Sequence, residues 1–350
     1  MTKPVTNKAV LSHLKKHPLQ DSTAARLVFL NGCYAPKLSN ISSLPKGLCF
    51  LSYKEAIKKH TKMAKNGVFC YLPKGTVVCK PLHLLFLTTE NRKTQLQNFL
   101  VLDSNSQACI YEEHTSLLST TIQETEIIAS FIVGDNAKLD YIKLHHGSSK
   151  DQYKGETHVT ALANSQAKIQ HLFLDGGKIE EKLHIVLEGE QAESSVQSMS
   201  WLNGKRYANF DVEIEHKIAK TVSQTLYKSI ANDQAHSSFR GKIFIAKNAM
   251  GCEGLLKNHN LLLSNKAQID TLPELEIYND DVKCSHGSTV GDLDEQALFY
   301  LASRGIAKQD ARAMLLYAFL EEIVDKIDQK IIKEYLKKLL RGKLQEIIFL

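Results

Sequence analysis

Two side chains that favour soft metals stand two positions apart in Leu275-Glu276-Ile277-Tyr278-Asn279-Asp280-Asp281-Val282-Lys283-Cys284-Ser285-His286-Gly287. On a regular strand Cys284 and His286 share one face. A thiolate with an imidazole suits iron, zinc or an iron-sulfur species. A closed site takes about four ligands, and no other Cys or His lies within ten residues. Read alone, such a pair is more often a buried thiol beside a hydrogen-bonded imidazole. The other explanation is that the missing ligands arrive from a second chain.

Other candidates are weaker. His145 and His146 are adjacent and face opposite sides of a strand. Cys252 and His259 are awkwardly spaced and read as structural. Cys70 and Cys79 flank the turn Leu72-Pro73-Lys74-Gly75 and read as buried thiols. Glu274 and Glu276 share a strand face and read as a solvated edge. No G-x-x-x-x-G-K-[ST], G-x-S-x-G, H-E-x-x-H or G-x-G-x-x-G occurs, so the chain is not a P-loop ATPase and shows no hydrolase, zincin or dinucleotide site. A non-enzyme is expected.

The elements that must position Cys284 and His286 are strands. From Val68 to Val290 short strands alternate with turns, and a polar pair followed by Ala recurs at Ser106-Gln107-Ala108, Asp135-Asn136-Ala137, Ser165-Gln166-Ala167, Glu190-Gln191-Ala192, Asp233-Gln234-Ala235, Lys247-Asn248-Ala249 and Asn265-Lys266-Ala267. The polar residue turns the chain and the small Ala packs where successive coils come close. That pattern suggests a β-solenoid, with an ordinary β-sandwich as the competing fold. The strand delivering Cys284 and His286 is expected to run into a turn at Gly287. Asp292 and Glu295 have the spacing of a capping box that opens a helical region.

Three parts are expected: a mixed α/β region over 1–67, the β core over 68–290 and a helical domain over 291–350. In the first part a short basic helix ends before Pro18 and Ser22 caps a turn through Ala24-Ala25-Arg26. Leu27 to Leu30 form a strand before the Asn31-Gly32 turn, and a helix covers Ser52 to Lys65. In the last part Ala311, Leu315, Ala318, Phe319, Ile323 and Ile327 form an apolar helical stripe. A further helix runs from about Gln329 to Leu340, and Ile347-Ile348-Phe349-Leu350 is an apolar tail.

The 350 residues suffice for a sizeable core, and the charge of +6 comes from 44 basic against 38 acidic residues mixed along the chain. No basic block with aromatic platforms points to nucleic acid. Seven scattered cysteines, no C-x-x-C and no signal peptide fit a reducing, cytoplasmic setting. No apolar run approaches the ~20 residues of a membrane span.

Several segments together resemble the SufB/SufD family of iron-sulfur assembly proteins. They are Leu261-Leu262-Leu263-Ser264, Thr271-x-Pro273-x-Leu275-Glu276-Ile277, Asp280 to Gly287 with Thr289-Val290-Gly291, and Tyr300-Leu301-x-Ser303-Arg304-Gly305-Ile306. Lys283-Cys284-Ser285-His286-Gly287 is similar to the SufD form, the SufB form carrying a Glu before the His. Leu27 to Gly32 with Leu38-Ser39 is similar to the SufD N-terminal region, although the whole N-terminal part is short for the family. Where relatives have a capping Ser and an Arg, this chain has Ala307 and His259.

The resemblance implies a right-handed parallel β-helix core and a non-catalytic scaffold of the SufBCD complex. It implies pairing with SufB through the β-helix edge. There His286, with Cys284 as neighbour, would meet a transient iron-sulfur cluster completed by SufB ligands, with none bound by the isolated chain. It implies that the SufC ATPase docks on the C-terminal helices, for which Tyr300, Ser303, Arg304, Gly305, Leu315 and Phe319 are the candidates. Two alternatives stand beside it: a structural homodimer using the same edge, and a polysaccharide-acting β-helix enzyme. The second is disfavoured because Trp201 is the single tryptophan and no acidic cluster stands out.

Overall fold

Alternating apolar strands separated by polar turns fold into a two-sheet parallel β-solenoid, seen in a computed structural model that describes residues 7–20, 22–41, 49–52, 66–117 and 122–348. Helix α1 (Asn7–Lys16) precedes it. The strands are β1 (Ala25–Leu30), β2 (Cys33–Tyr34), β3 (Cys49–Ser52), β4 (Val68–Leu72), β5 (Val77–Thr88), β6 (Lys93–Leu102), β7 (Gln107–Ser116), β8 (Gln123–Val133), β9 (Lys138–His146) and β10 (Asp151–Ala161). They continue as β11 (Gln166–Asp175), β12 (Lys178–Leu187), β13 (Glu193–Leu202), β14 (Tyr207–His216), β15 (Val222–Ala231), β16 (His236–Ile245), β17 (Cys252–Leu262), β18 (Gln268–Ile277) and β19 (Val282–Gly291). Helices α2 (Glu295–Ser303), α3 (Lys308–Asp325) and α4 (Lys330–Ile348) follow.

The first sheet has ten strands in the order β19-β17-β15-β13-β11-β9-β7-β5-β1-β2, and the second has nine in the order β18-β16-β14-β12-β10-β8-β6-β4-β3. Their inner faces enclose one apolar core, which includes Leu84, Phe86, Phe131, Ile169, Phe210, Phe239 and Leu256. Outside, the sheets differ. The second sheet alternates buried and exposed residues, as in β14 and β16, the pattern of a sheet with one wet face. The first sheet is buried on both faces in its middle strands, because α3 and α4 lay Leu316, Leu320, Ile323, Val324, Ile332, Leu336 and Leu340 on Tyr111, Ile142, Leu172, Met199 and Trp201. Val10 and Leu14 of α1 cover Val28, Leu85 and Leu87 beside them.

The repeat read from the sequence is physical. Asn105, Asn136, Asn164, Gln191 and Asp233 adopt positive φ, a left-handed conformation that Asn and Asp tolerate better than most residues. Their amides stack coil on coil: Asn105 N–H donates to the Asp135 carbonyl, Asn136 to Ala163 and Asn164 to Glu190. Ala108, Ala137, Ala167, Ala192, Ala235, Ala249 and Ala267 are all buried in the core.

Several expectations change. No helical turn follows Ser22; Ala25 already belongs to β1, which pairs in parallel with β5 and so carries the solenoid into the 1–67 stretch. Ser52 ends β3, and the rest of the helix expected to Lys65 lies outside the described residues. Gly287 lies mid-strand in β19, the turn falling before Val282. Asp294, not Asp292, caps α2, accepting from the Gln296 and Ala297 amides. In α3 the buried stripe is Ala311, Leu316, Leu320, Ile323 and Val324; Ala318 is exposed and Leu315 and Phe319 are half-buried. Helix α4 reaches Ile348 rather than Leu340, and the side chains of the apolar tail lie outside the described residues. Cys79 is exposed, while Cys70 is buried.

Candidate functional site

The two ends of the solenoid are finished differently. At the first, β2 and β3 turn back antiparallel against β1 and β4. At the second, β18 and β19 simply end the two sheets, still parallel to β16 and β17. Every residue of β18 and β19 is half-buried or exposed, although Ile269, Leu275, Val282 and Cys284 touch the core. Apolar side chains stay bare around this end: Leu272 is 54% exposed, Tyr278 59%, Val290 43% and Phe299 76%.

Cys284 and His286 lie on β19, opposite Gly254 and Leu256 of β17. The absence of a side chain at residue 254 makes room for the thiol: a Cβ there would stand 3.2 Å from Cys284 Sγ. Burial pushes the Cys284 thiol up, with a smaller opposing pull from the Gly254 backbone. His286 is exposed and makes no hydrogen bond among the described residues. The next side chain on that face, Ser288, lies 2.9 Å from Thr271 Oγ1 and donates to Asn258 Oδ1 at 3.2 Å. An available imidazole therefore stands between a tucked-in thiol and a fixed hydroxyl. Among the described residues no third Cys, His, Asp or Glu completes a ligand set with Cys284 and His286.

The α2 candidates form a separate exposed patch. Helix α2 buries none of its residues. Tyr300 is 57% exposed, with the Arg304 guanidinium over its ring at 5.3 Å. Ser303 donates to the Tyr300 carbonyl at 2.7 Å, and Gly305 ends the helix at φ +84°. Phe319 does not join them. It packs against the solenoid with Lys228 Nζ 4.6 Å from its ring centre, and Lys228 also reaches Glu322. Leu315, half-buried, lies on the same helix as Phe319 rather than in the α2 patch. Of the other candidates, His259 lies 3.0 Å from Thr289, while Glu274 and Glu276 pair with Arg240 and Lys242.

Two buried polar clusters escaped the sequence reading. Inside the solenoid, Lys143 Nζ donates to Thr157 and Glu181, both at 2.9 Å; burial raises the Glu181 carboxyl despite Lys143. Outside the first sheet, Glu113 accepts from Thr115 and Tyr335 at 3.2 Å and lies 3.0 Å from His17 Nε2 and 3.5 Å from His83 Nε2. Burial would raise the Glu113 carboxyl, but His17 and His83 hold it well below the usual range. The available signal was a charge inside an apolar strand, as in Tyr141-Ile142-Lys143-Leu144.

Comparison with known proteins adds the following. Residues 85–319 match the SufBD core domain of SUF-system iron-sulfur cluster assembly. The chain is 31% identical to the iron-sulfur cluster assembly protein SufD of Escherichia coli, covering 89% of this chain and 77% of that one. It is 28% identical to an iron-sulfur cluster assembly SufBD family protein of Synechocystis, covering 88% and 75%. It is 27% identical to SufD of Bacillus subtilis, covering 82% and 66%. No described helix is long and apolar enough to cross a membrane.

Proposed function

Because the chain belongs to the SufB/SufD family, as a SufD-type member with a role in iron-sulfur cluster assembly, we propose that it is a non-catalytic scaffold subunit of a SUF assembly complex. Its unfinished solenoid end pairs with a SufB-type chain. His286 then contributes a nitrogen to a transient cluster whose other ligands come largely from that partner, with Cys284 beside it. The exposed α2 surface around Tyr300, Ser303, Arg304 and Gly305 docks a SufC-type ATPase, which supplies the nucleotide hydrolysis this chain has no P-loop for.

The observation that carries this reading is the bare edge of β18 and β19. A solenoid coil cannot bury its own inner face and needs a neighbour or a cap, and open strand edges invite pairing with another chain. A homodimer through the same end is the second reading supported by that edge.

The test is iron and acid-labile sulfide in the anaerobically purified complex, with His286 intact and with His286→Ala. Loss of both with the complex still assembled is the expected result. Unchanged content would remove His286 from the site. The mass of the chain with and without its SufB-type partner separates the heterodimer from the homodimer.

A further inference from the structure

We propose that His17, His83 and Glu113 bind one divalent first-row transition-metal ion beneath helix α4, far along the solenoid from His286. Six inter-strand steps separate β7, which carries Glu113, from β19, a span of roughly 30 Å. One donor atom from each residue lies within 4.8 Å of the other two. Two imidazoles and one carboxylate, with positions left open, are a ligand set suited to ferrous iron and its neighbours.

The hydrogen bonding of the metal-free cluster is incomplete. Glu113 Oε1 is held by the hydroxyls of Thr115 and Tyr335, while Oε2 faces the two imidazoles. His83 is fully buried, yet neither ring nitrogen makes a hydrogen bond among the described residues. Its 3.5 Å approach to Glu113 is too long for a good one. Buried polar atoms without partners are rare in native proteins, and a metal ion would give His83 Nε2 the partner it lacks. The Thr115 and Tyr335 hydroxyls would orient the carboxylate from behind, as outer partners commonly do for metal ligands.

Access is provided by a cleft of about 460 Å³ between α1 and α4, lined by Ser12, His13, His17, Tyr335 and Lys338 among others. His13 Nε2, buried and without a hydrogen bond, offers a further nitrogen on the cleft side. Binding requires one local change. His17 Nδ1 accepts the Leu19 amide at 3.2 Å, which places the His17 proton on Nε2. A metal at Nε2 moves that proton to Nδ1 and releases the Leu19 amide.

The experiment is an anaerobic titration of the full-length, chelator-treated chain with Co²⁺, followed by visible absorption, then displacement with Fe²⁺ or Zn²⁺. One equivalent is expected, with ligand-field bands and no sulfur-to-cobalt charge transfer. The affinity should fall at least tenfold in His83→Gln and be unchanged in Cys284→Ser and His286→Ala. Circular dichroism checks that His83→Gln is folded, and His17→Ala, on the cleft side, gives a second reading if it is not. Absence of a saturable site, affinity unaffected by the folded His83 or His17 variant, or a thiolate band lost with Cys284→Ser would each overturn the proposal. None of these outcomes depends on whether the chain assembles with a partner.

Discussion

Lys143 shows what a single residue inside a solenoid can demand. Its ammonium is fully buried and bonded to Thr157 and Glu181, with the faces of Tyr141 and Tyr153 at 5.8 and 6.0 Å. Removing one member of a buried ion pair leaves the other charge unpaired, at a cost of roughly 3–5 kcal/mol, whereas replacing both by apolar groups is often neutral. Lys143→Met is therefore expected to lower the urea midpoint strongly, and Lys143→Met with Glu181→Leu to recover most of it. The single variant's penalty should shrink towards acid pH, because Glu181, already raised by burial, can then take up a proton. A Lys143→Met protein as stable as the unaltered one at pH 7 would show that the pair contributes nothing. The same residue marks a limit of sequence reading. A lysine between Ile142 and Leu144 is visible as an anomaly, but its partner Glu181 is 38 residues away and only the coil register brings them together. His286 was more legible, since period-two alternation places it with Cys284 without any knowledge of register.

At the scale of elements, turns were easier to read than helix faces. The polar-pair-plus-Ala signal marks turns, and at Asn105, Asn136 and Asn164 a left-handed residue and its stacked amide fix one coil on the next. Asn136, at φ 56°, tests this: Asn136→Ala keeps a Cβ in the left-handed region but loses the short polar side chain that lets Asn tolerate it, exposing up to the roughly 1–2 kcal/mol that an ordinary residue costs there. Asn136→Gly, free of that penalty, should stay close to the unaltered protein in chemical denaturation. Equal loss in both variants would mean that the Asn side chain, not its backbone angle, matters. Of the stripe expected on helix α3 and just beyond it, Ala311, Ile323 and Ile327 are buried, but Leu315 and Phe319 give way to their neighbours Leu316 and Leu320. Leu315-Leu316 and Phe319-Leu320 are adjacent apolar pairs, so the sequence supports two stripes, and packing against Met199, Trp201 and Ile230 selects Leu316 and Leu320. A helix with competing apolar phases is decided by the surface it meets. For the same reason Phe319, expected at a partner surface, lies against the solenoid under Lys228.

For the whole molecule, the enclosed core and the unfinished end pull in different directions. Stacking coils and covering one sheet with helices buries many titratable groups, while the last coil leaves its inner face available. The buried set gives the fold a calculable response to acid. Burial depresses His83 and His216 to about 4 and His145 to about 3, and holds His171 well below its usual value. Each is neutral when folded and charged when unfolded below about pH 6.5, so each contributes stability that is present above 6.5 and lost as pH falls towards its folded value. Asp140, raised to about 6 by burial, and Glu181, also raised, act with the opposite sign, binding a proton in the folded state first. His13 and His259 are lowered as well and Asp151 is raised, so around pH 5 the depressed histidines outnumber the raised carboxyls, unfolding takes up protons and stability falls as the pH drops. Denaturant midpoints should accordingly drop steeply between pH 6.5 and 5. His145→Phe, which removes one of these groups at a site tilted against the rings of Tyr153 and Phe173, should flatten that response by about one proton's worth. A midpoint constant or rising over this interval would mean that these histidines are protonated inside the fold. None of these groups lies on β18 or β19 themselves, so pairing through those strands should raise the curve and leave this acid response in place.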